Sequence, residues 1–301
     1  MRITLRDIHK HYGKVHANDG INMEINRGVI HGILGENGAG KSTLMKILAG
    51  YVQKTSGTIL LDGRPTDYRG TAQATGLGIG MLYQDPLDFP QLSVLENFMM
   101  GLSRGLTSQY SGYRHKLEDS CNFFGFNLDA DAPVGSLTVG ERQQLELIRL
   151  LSLGVQILIL DEPTTGISSL QREILFNALR KLASQQKTIL LVSHKLNDVE
   201  ALCHRSTVLR KGKVAGEMNQ PFNTRTLLEW MFDTPLSPPT RPEIKPGQVT
   251  LAMEGISASG DRAGLKNCSL TIRQGEIVGL VGLEGSGQSA FFVWPPAWKN
   301  R

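Results

Sequence analysis

The feature that most constrains this 301-residue chain is a glycine-rich loop between an apolar run and a helical pattern. Residues 35–42, Gly-Glu-Asn-Gly-Ala-Gly-Lys-Ser, fit the pattern G-x-x-x-x-G-K-[ST], which in proteins holds nucleotide phosphates. Because its glycines lack a Cβ, the backbone can wrap closely and turn its N–H groups toward phosphate oxygens. We expect Lys41 to reach the β- and γ-phosphates and Ser42 to ligate Mg²⁺, at the positive end of the following helix. The sequence thus predicts a nucleoside triphosphate site with the contacting residues Gly35, Glu36, Asn37, Gly38, Ala39, Gly40, Lys41, Ser42 and Thr43.

Composition and charge give no indication of a nucleic-acid-binding, disulfide-rich or membrane-spanning protein. The hydrophobic content of 40% and the charged content of 20% are ordinary for a globular chain, and the net charge of +4 does not call for a nucleic-acid partner. The three cysteines (Cys121, Cys203 and Cys268) are far apart and odd in number, so we expect reduced thiols and no disulfide framework. We find no signal peptide and no apolar run long enough to span a bilayer, so a membrane role requires a partner.

The hydrophobic pattern predicts an α/β fold. Apolar residues alternate with other residues within the first 25 positions, which indicates antiparallel strands with one buried face. Four apolar runs, residues 29–34, 79–83, 157–160 and 189–192, indicate strands of a mostly parallel core sheet, and residues 58–63 a hairpin. Between residues 94 and 153 the apolar residues mostly recur at the spacing of a helix, and a polar stretch at 104–114 interrupts this pattern. We therefore expect a helical subdomain, at about residues 85–155, inserted into the core.

The C-terminal part of the sequence repeats the phosphate-loop segment. Six of the thirteen prolines lie between Pro221 and Pro246, which predicts a stiff linker at residues 221–248 after a domain of residues 1–220. Residues 274–289 then match residues 27–42, with every glycine at the same offset and Gln288 in the position of Lys41. Because Pro295-Pro296 cannot continue the expected helix, we interpret residues 249–301 as the truncated start of a second, similar domain.

Polar side chains follow the predicted core strands. Asp161 and Glu162 end the strand at 157–160, where α/β sheets bind ligands. Asp161 suits the Mg²⁺ shell beside Ser42, and Glu162 could act as the general base for an attacking water. Gln84 and His194 follow two other strands, where they could touch water, metal or the γ-phosphate. Either could also be an ordinary loop or surface residue.

Two further features have both a structural and a functional interpretation. Thr138 and Glu141 have the T-x-x-E spacing of a capping box, so this segment could simply start a helix. A glycine-containing helix N-terminus is also an anion site. Tyr12 could stack on an adenine ring, or it could pack on the antiparallel sheet.

Together these pieces resemble the ATPase of ABC transporters, over residues 1 to about 217. The resemblance assigns residues 35–42 to Walker A, Gln84 to the Q-loop, residues 137–141 to the signature, residues 157–162 to Walker B with its acid, and His194 to the switch histidine. It implies Gln84 as a metal contact and Tyr12 as the adenine-stacking residue. It also implies that two cassettes sandwich two ATPs, with Thr138, Val139, Gly140 and Glu141 facing the ATP of the partner cassette.

The sequence departs from the family pattern at two places. The signature is usually LSGGQ, while this chain has Thr138, Val139 and Glu141 at three of those positions. Glu141 would bring negative charge near a phosphate unless the capping box engages it. Ser168 stands where the D-loop usually has Asp, which puts the coupling of the two ATP sites in doubt.

Tandem cassettes and a signature of V-G-x-x-Q type narrow the resemblance to importers of simple sugars and nucleosides. The resemblance implies permease subunits, a solute-binding protein, and a second cassette from a homodimer or a separate chain. It places the ATPase peripherally at the cytoplasmic face of the membrane. The alternatives are an inactive truncated remnant of such a subunit and a soluble ABC ATPase acting on ribosomes or DNA. The proline-rich linker and the ordinary helical block oppose the soluble class.

Overall fold

The computed structural model describes residues 1–84, 87–102, 110–232, 247–259, 264–282, 286–288 and 291. The chain divides into two compact units, Met1–Leu236 and Ser237–Arg301. Within the described ranges, no helix is both long and apolar enough to cross a membrane. The first unit contains β1 (Ile3–Tyr12), β2 (Val15–Ile25), β3 (Ile30–Leu34), α1 (Lys41–Leu48), β4 (Ser56–Leu61), β5 (Arg64–Thr66), α2 (Thr71–Gly76), β6 (Ile79–Leu82), α3 (Val94–Met99), α4 (Tyr110–Phe124), α5 (Val139–Ser152), β7 (Ile157–Asp161), α6 (Ser169–Ser184), β8 (Thr188–Val192), α7 (Leu196–Leu202), β9 (Arg205–Arg210), β10 (Lys213–Asn219) and α8 (Thr224–Phe232).

An antiparallel sheet with the strand order β2-β1-β4-β5 opens the first unit. Its alternating side chains, such as Ile3 and Leu5 on β1, are buried against the α1 side of the core. The turn at Asp62-Gly63 joins β4 to β5, and Leu61 pairs with Arg64. The predicted antiparallel strands and the predicted hairpin are thus confirmed.

A six-stranded sheet with the order β10-β9-β3-β8-β7-β6 forms the centre of the unit. Its strands from β9 to β6 are parallel, and β10 pairs antiparallel with β9 at the edge. Every residue of β3, β7 and β8 is buried, as the continuous apolar runs predicted for strands covered on both faces. Because β3, β7, β8 and β6 run in the same direction, their carboxyl ends lie at one edge, where the functional side chains follow them.

Helices α3, α4 and α5 pack together beside this sheet, through buried side chains that include Phe98, Leu117 and Leu145. The predicted polar interruption at residues 104–114 is wrong from Tyr110 onward, where α4 begins. This helix forms because Leu117, Cys121 and Phe124 lie on one face and reach the core. The remainder of that predicted stretch, residues 104–109, lies outside the described residues.

The structure also differs from the predicted linker at residues 221–248. Residues 224–232 form α8, which packs against β9 and β10 and belongs to the first unit. Leu227 and Met231, four residues apart, are both buried in the core. The six prolines suggested one continuous linker and hid this short amphipathic helix. In fact Pro221 precedes the helix and the other five prolines follow it, so none lies within it. Residues 233–246 of the predicted linker lie outside the described residues.

In the second unit, β11 (Val249–Ala258) and β12 (Leu265–Arg273) form an antiparallel hairpin. Residues 277–281, the counterpart of β3 in the repeated segment, have no regular structure, and Ile277 and Val281 are 91% and 94% exposed. The equivalent segment of the first unit, β3, pairs with β8 on one side and β9 on the other. The described part of the second unit offers no such neighbours, and a parallel strand does not form without them.

We predict that Leu227→Ala lowers the free energy of unfolding by about 2–4 kcal/mol, because it removes a fully buried side chain of α8. Urea denaturation of the full chain measures the loss. The matched control is Leu170→Ala, at a position 71% exposed, which should change stability by less than about 0.5 kcal/mol. Equal effects of the two substitutions would show that α8 contributes no more to the core than a surface residue does.

Candidate functional site

The phosphate loop lies between β3 and α1, and neighbouring backbone holds it on two sides. Gly35 and Gly40 have φ angles of 147° and 98°, which side-chain-bearing residues rarely adopt. A Cβ on Gly35 would lie 2.2 Å from the carbonyl oxygen of Leu209, and one on Gly40 would lie 2.2 Å from that of Ala17. These two glycines are therefore required by the close approach of the loop to β2 and β9.

Lys41 is the cation of the loop and is only 6% exposed. Its ammonium donates hydrogen bonds to the carbonyl oxygens of Gly35 at 2.8 Å and Glu36 at 2.9 Å. Burial lowers the pKa of Lys41, while the nearby carboxylates of Glu162 and Asp161 act in the opposite direction. The lysine is thus held inside the curve of the loop, close to both acids at the end of β7.

Asp161 and Glu162 differ in their surroundings. Asp161 ends β7 and is buried, with its Oδ1 accepting a 3.4 Å hydrogen bond from the Ser42 hydroxyl. Burial raises the pKa of Asp161, and the Ser42 bond opposes that shift. A hydroxyl and a carboxylate side by side are the oxygen ligands that Mg²⁺ prefers, so the pair fits the predicted metal role.

Glu162 is the next residue and has the left-handed φ of 49°, unusual for a side-chain-bearing residue. Its Oε1 lies 2.9 Å from Nδ1 of His194, which follows β8 and is half exposed. The structure therefore brings together Glu162, predicted as the acid after Walker B, and His194, predicted as the switch histidine. A left-handed backbone at a polar residue facing a cleft is typical of functional sites.

An open cleft of about 530 Å³ is lined by eight of the predicted residues, and Asp161 and His194 are not part of its lining. That volume lies within the range of roughly 300–1,000 Å³ typical of small-molecule sites. Gln84, Glu162 and the loop line it together, whereas Gly35, Glu36 and Ala39 form the loop without lining the cleft. The lining residues are Val15, His16, Ala17, Asn37, Gly38, Gly40, Lys41, Ser42, Thr43, Gln84, Glu162 and Lys211.

Sequence reasoning missed His16 and Lys211 in this lining. Lys211 stands in the turn between β9 and β10, and no motif distinguishes it. Tyr12 lies at the end of β1, directly across from Val15, and its ring is 50% exposed beneath the ammonium of Lys10. The structure thus places Tyr12 beside a lining residue but not within the lining itself.

The capping interpretation of Thr138 and Glu141 is confirmed at the start of α5. The Thr138 Oγ1 accepts from the backbone N–H of Glu141 at 3.3 Å, and Glu141 Oε2 accepts from the N–H of Thr138 at 2.7 Å and from its hydroxyl at 2.8 Å. The carboxylate of Glu141 is therefore engaged at its own helix end. This removes the expected conflict between Glu141 and a phosphate facing the same segment.

Gln171 connects this helix end to a second one. Ser168 caps α6, with Gln171 as its capping-box partner, and the Gln171 Nε2 also donates to Thr138 Oγ1 at 2.8 Å. A Cβ on Gly140 would lie 2.7 Å from the end of the Gln171 side chain, so a larger residue here would displace Gln171. Ser168 thus has a capping role, and Gln171 is a residue that the motifs did not single out.

Known proteins are similar in sequence to this chain. The family described as ABC transporter matches residues 18–165. The chain is 38% identical to a ribose import ATP-binding protein of Yersinia pestis, over 95% of this chain and 57% of that protein. It is 34% identical to a glucose import ATP-binding protein of Haloferax volcanii, over 95% of this chain and 58% of that protein. The chain thus spans less than two thirds of the length of these relatives.

Solved structures agree on the fold. The dimeric structure of the bacterial ABC transporter cassette MJ0796 has a TM-score of 0.65 and 26% identity, covering 73% of this chain and all of that one. A cassette from Clostridium perfringens, described as part of the ABC transporter complex cbiONQ, has a TM-score of 0.64 and 29% identity, with 72% and 88% covered. The predicted P-loop cassette fold is therefore confirmed.

We predict that Glu162→Gln keeps ATP binding but slows hydrolysis at least about 100-fold, because an amide cannot accept the proton of an attacking water. Lys41→Ala should instead lose most of the affinity for ATP, since the loop then lacks its buried cation. Nucleotide binding and phosphate release, measured on the same preparations, separate the two effects. Unchanged turnover in Glu162→Gln would remove this residue from the role of general base.

We further predict that Gln171→Leu destabilises the chain by about 1–2 kcal/mol, because it leaves two helix ends with fewer hydrogen bonds. Urea denaturation gives the value. Gln91→Leu, in an exposed turn, is the matched control and should be close to neutral. A neutral Gln171→Leu would show that the bridge between the two caps contributes nothing to stability.

Proposed function

We propose that this chain, which carries an ATP-binding cassette of the ABC transporter family, binds and hydrolyses ATP to energise an importer of simple sugars or nucleosides. ATP hydrolysis is the activity of the family. The observation that carries the proposal is the common cleft, in which the phosphate loop faces Gln84 and Glu162 from neighbouring strands. This arrangement supports nucleotide binding and water activation at a single site.

The side chains divide the chemistry among them. Lys41 and the loop N–H groups would hold the phosphates, and Ser42 and Asp161 would hold Mg²⁺, which neutralises phosphate charge when bound. Glu162 would accept the proton of the attacking water, and its contact with His194 Nδ1 orients the carboxylate. Gln84 lines the same cleft and would touch that water or the metal. Tyr12 remains our proposal for the adenine contact, since its side chain is exposed and it pairs with Val15, which lines the cleft.

A second cassette is needed to complete the site. None of the described residues lining the cleft comes from α5, so Thr138 and Gly140 do not face the ATP site of their own chain. Their helix N-terminus, with Glu141 folded back on its cap, is a suitable surface for the phosphate held by another cassette. We propose that a second copy or a separate cassette supplies this surface, in a head-to-tail pair.

A groove on the same unit is our candidate for the permease contact. Leu87, Phe89 and Met100 line it and are largely exposed, and the ion pair of Arg142 with Asp88 forms part of its wall. The groove begins three residues after Gln84, which lines the nucleotide cleft. A short apolar helix of a permease subunit docked there would be linked to the ATP site through this strand end.

The transported solute is proposed from the relatives alone. The printed names of two of them are ribose import and glucose import ATP-binding protein. We propose a permease pair and a solute-binding protein as the remaining partners, with the cassette peripheral at the cytoplasmic face of the membrane. The alternatives are an inactive form of such a subunit, and an ABC ATPase outside transport. Failure to pair with any second cassette would favour the inactive form.

We predict that ATP acts as a dimerising ligand once hydrolysis is stopped. Two copies can complete two equivalent sites, and a ligand that binds only the pair shifts the equilibrium toward it by mass action. In sedimentation experiments, Glu162→Gln with ATP and Mg²⁺ should form a dimer that is absent with ADP. Adding Lys41→Ala should abolish the dimer, because this variant does not hold the nucleotide. A monomer at tens of micromolar with ATP bound would exclude homodimer closure.

A further inference from the structure

Three of the seven histidines lie within residues 9–16, on the hairpin of β1 and β2. His9 and His11 belong to β1, and His16 and Asp19 to β2, with His11 directly paired with His16. One ligand atom from each of His9, His11 and Asp19 lies within 4.8 Å of the other two. The proposed ATPase chemistry uses none of these three residues, so the cluster requires its own explanation.

His9 is held between two carboxylates. Its Nε2 lies 3.0 Å from Asp7 Oδ1, and its Nδ1 lies 3.3 Å from Asp19 Oδ1. A neutral imidazole carries one proton, so it can donate to only one of the two. With Nε2–H donating to Asp7, the lone pair of Nδ1 faces the Asp19 carboxylate. A cation between Nδ1 and Oδ1 would remove the repulsion between the lone pair and the carboxylate. Asp7 would then be the outer partner, since a carboxylate commonly accepts a hydrogen bond from the other ring nitrogen of a metal-bound imidazole.

His11 supplies a second, independent indication. Its Nε2 is buried and has no hydrogen-bond partner in the described part of the chain. Its ring stacks on that of His16 with centroids 4.0 Å apart and lies edge-on to that of His9 at 5.8 Å. A buried ring nitrogen without a partner costs free energy, which metal coordination would recover.

We propose that His9, His11 and Asp19 bind a divalent transition-metal ion such as Zn²⁺, with water or His16 in the fourth position. Zn–N and Zn–O bonds of about 2.0–2.2 Å place tetrahedral ligands roughly 3.3 Å apart. The His9–Asp19 separation of 3.3 Å already meets this spacing, and the ligand atom of His11 lies within 4.8 Å of the other two. Imidazole ligands favour Zn²⁺ over Mg²⁺, so this site is chemically distinct from the one at Ser42 and Asp161.

Lys213 is the competing cation at this site. Its ammonium lies 3.1 Å from Asp19 Oδ2, whereas His9 faces Oδ1, so the lysine and the metal use different oxygens. The Lys213 side chain is 67% exposed and can withdraw into solvent. The bound metal would cross-link β1 to β2 next to the turn that follows Tyr12, and His16 connects this site to the nucleotide cleft.

Titration calorimetry of the nucleotide-free full chain with Zn²⁺ tests the proposal. We expect about one ion per chain, with no heat from Mg²⁺ at the same concentrations. His9→Gln and Asp19→Asn should each weaken binding by more than tenfold, and Asp7→Asn by about 10–100-fold, the range for an outer-shell partner. Zn²⁺ should also raise the Tm of the chain, because it binds the folded state preferentially.

Two variants serve as controls for other zinc ligands. His115→Gln, at an exposed histidine on α4, and Cys268→Ser, at the partly exposed thiol, should both leave affinity and stoichiometry unchanged. Co²⁺ should give the visible absorption of a four-coordinate ion, and Zn²⁺ should displace it. Equal zinc affinity of the chain and its His9→Gln variant, or no binding at all, would overturn the site.

Discussion

The close contact between the phosphate loop and the strands beside it is the constraint on which the rest of the site depends. Gly40 approaches the carbonyl oxygen of Ala17, and Asn18 donates to the carbonyl of Gly40 at 3.1 Å. On the other side, the N–H of Gly212 donates to the carbonyl of Ala39 at 3.1 Å. These contacts join the antiparallel sheet and the β9–β10 turn to the loop, so both sheets position the nucleotide site.

A second set of contacts determines how the α5 helix end can meet a phosphate. Glu141 places a negative charge near a helix N-terminus, where the positive end of the helix dipole stabilises it. The capping box directs that carboxylate to the N–H and hydroxyl of Thr138, and Gln171 ties Thr138 to the start of α6. The departures from the usual signature and D-loop residues therefore produce a connected pair of caps. A residue that looked unfavourable in the sequence contributes to the local fold.

The two glycine-rich segments show how much a motif depends on its surroundings. In the first unit, β3 is buried between two parallel neighbours, and its loop continues into α1. In the second unit, the equivalent residues have no strand neighbours among the described residues, and their apolar side chains are exposed. Gly287 nevertheless has a φ of 94°, close to the 98° of its counterpart Gly40. Gly287 thus keeps the backbone conformation of its counterpart where sheet pairing is absent, whereas Gly282 does not have the positive φ of its counterpart Gly35.

The sequence by itself determined the phosphate loop, the buried core strands and the polar residues at their ends, because those signals are local in the chain and their periodicity reports burial directly. It also predicted both interpretations of Thr138 and Glu141. Only the tertiary structure decided that α8 belongs to the core. Two apolar residues in a proline-rich stretch do not predict burial by themselves, and they are buried here because α8 packs against β9 and β10. Tertiary structure likewise brought His9 to Asp19 and Gln171 to Thr138. Such contacts depend on strand register and helix packing, which are set by residues distant in the chain.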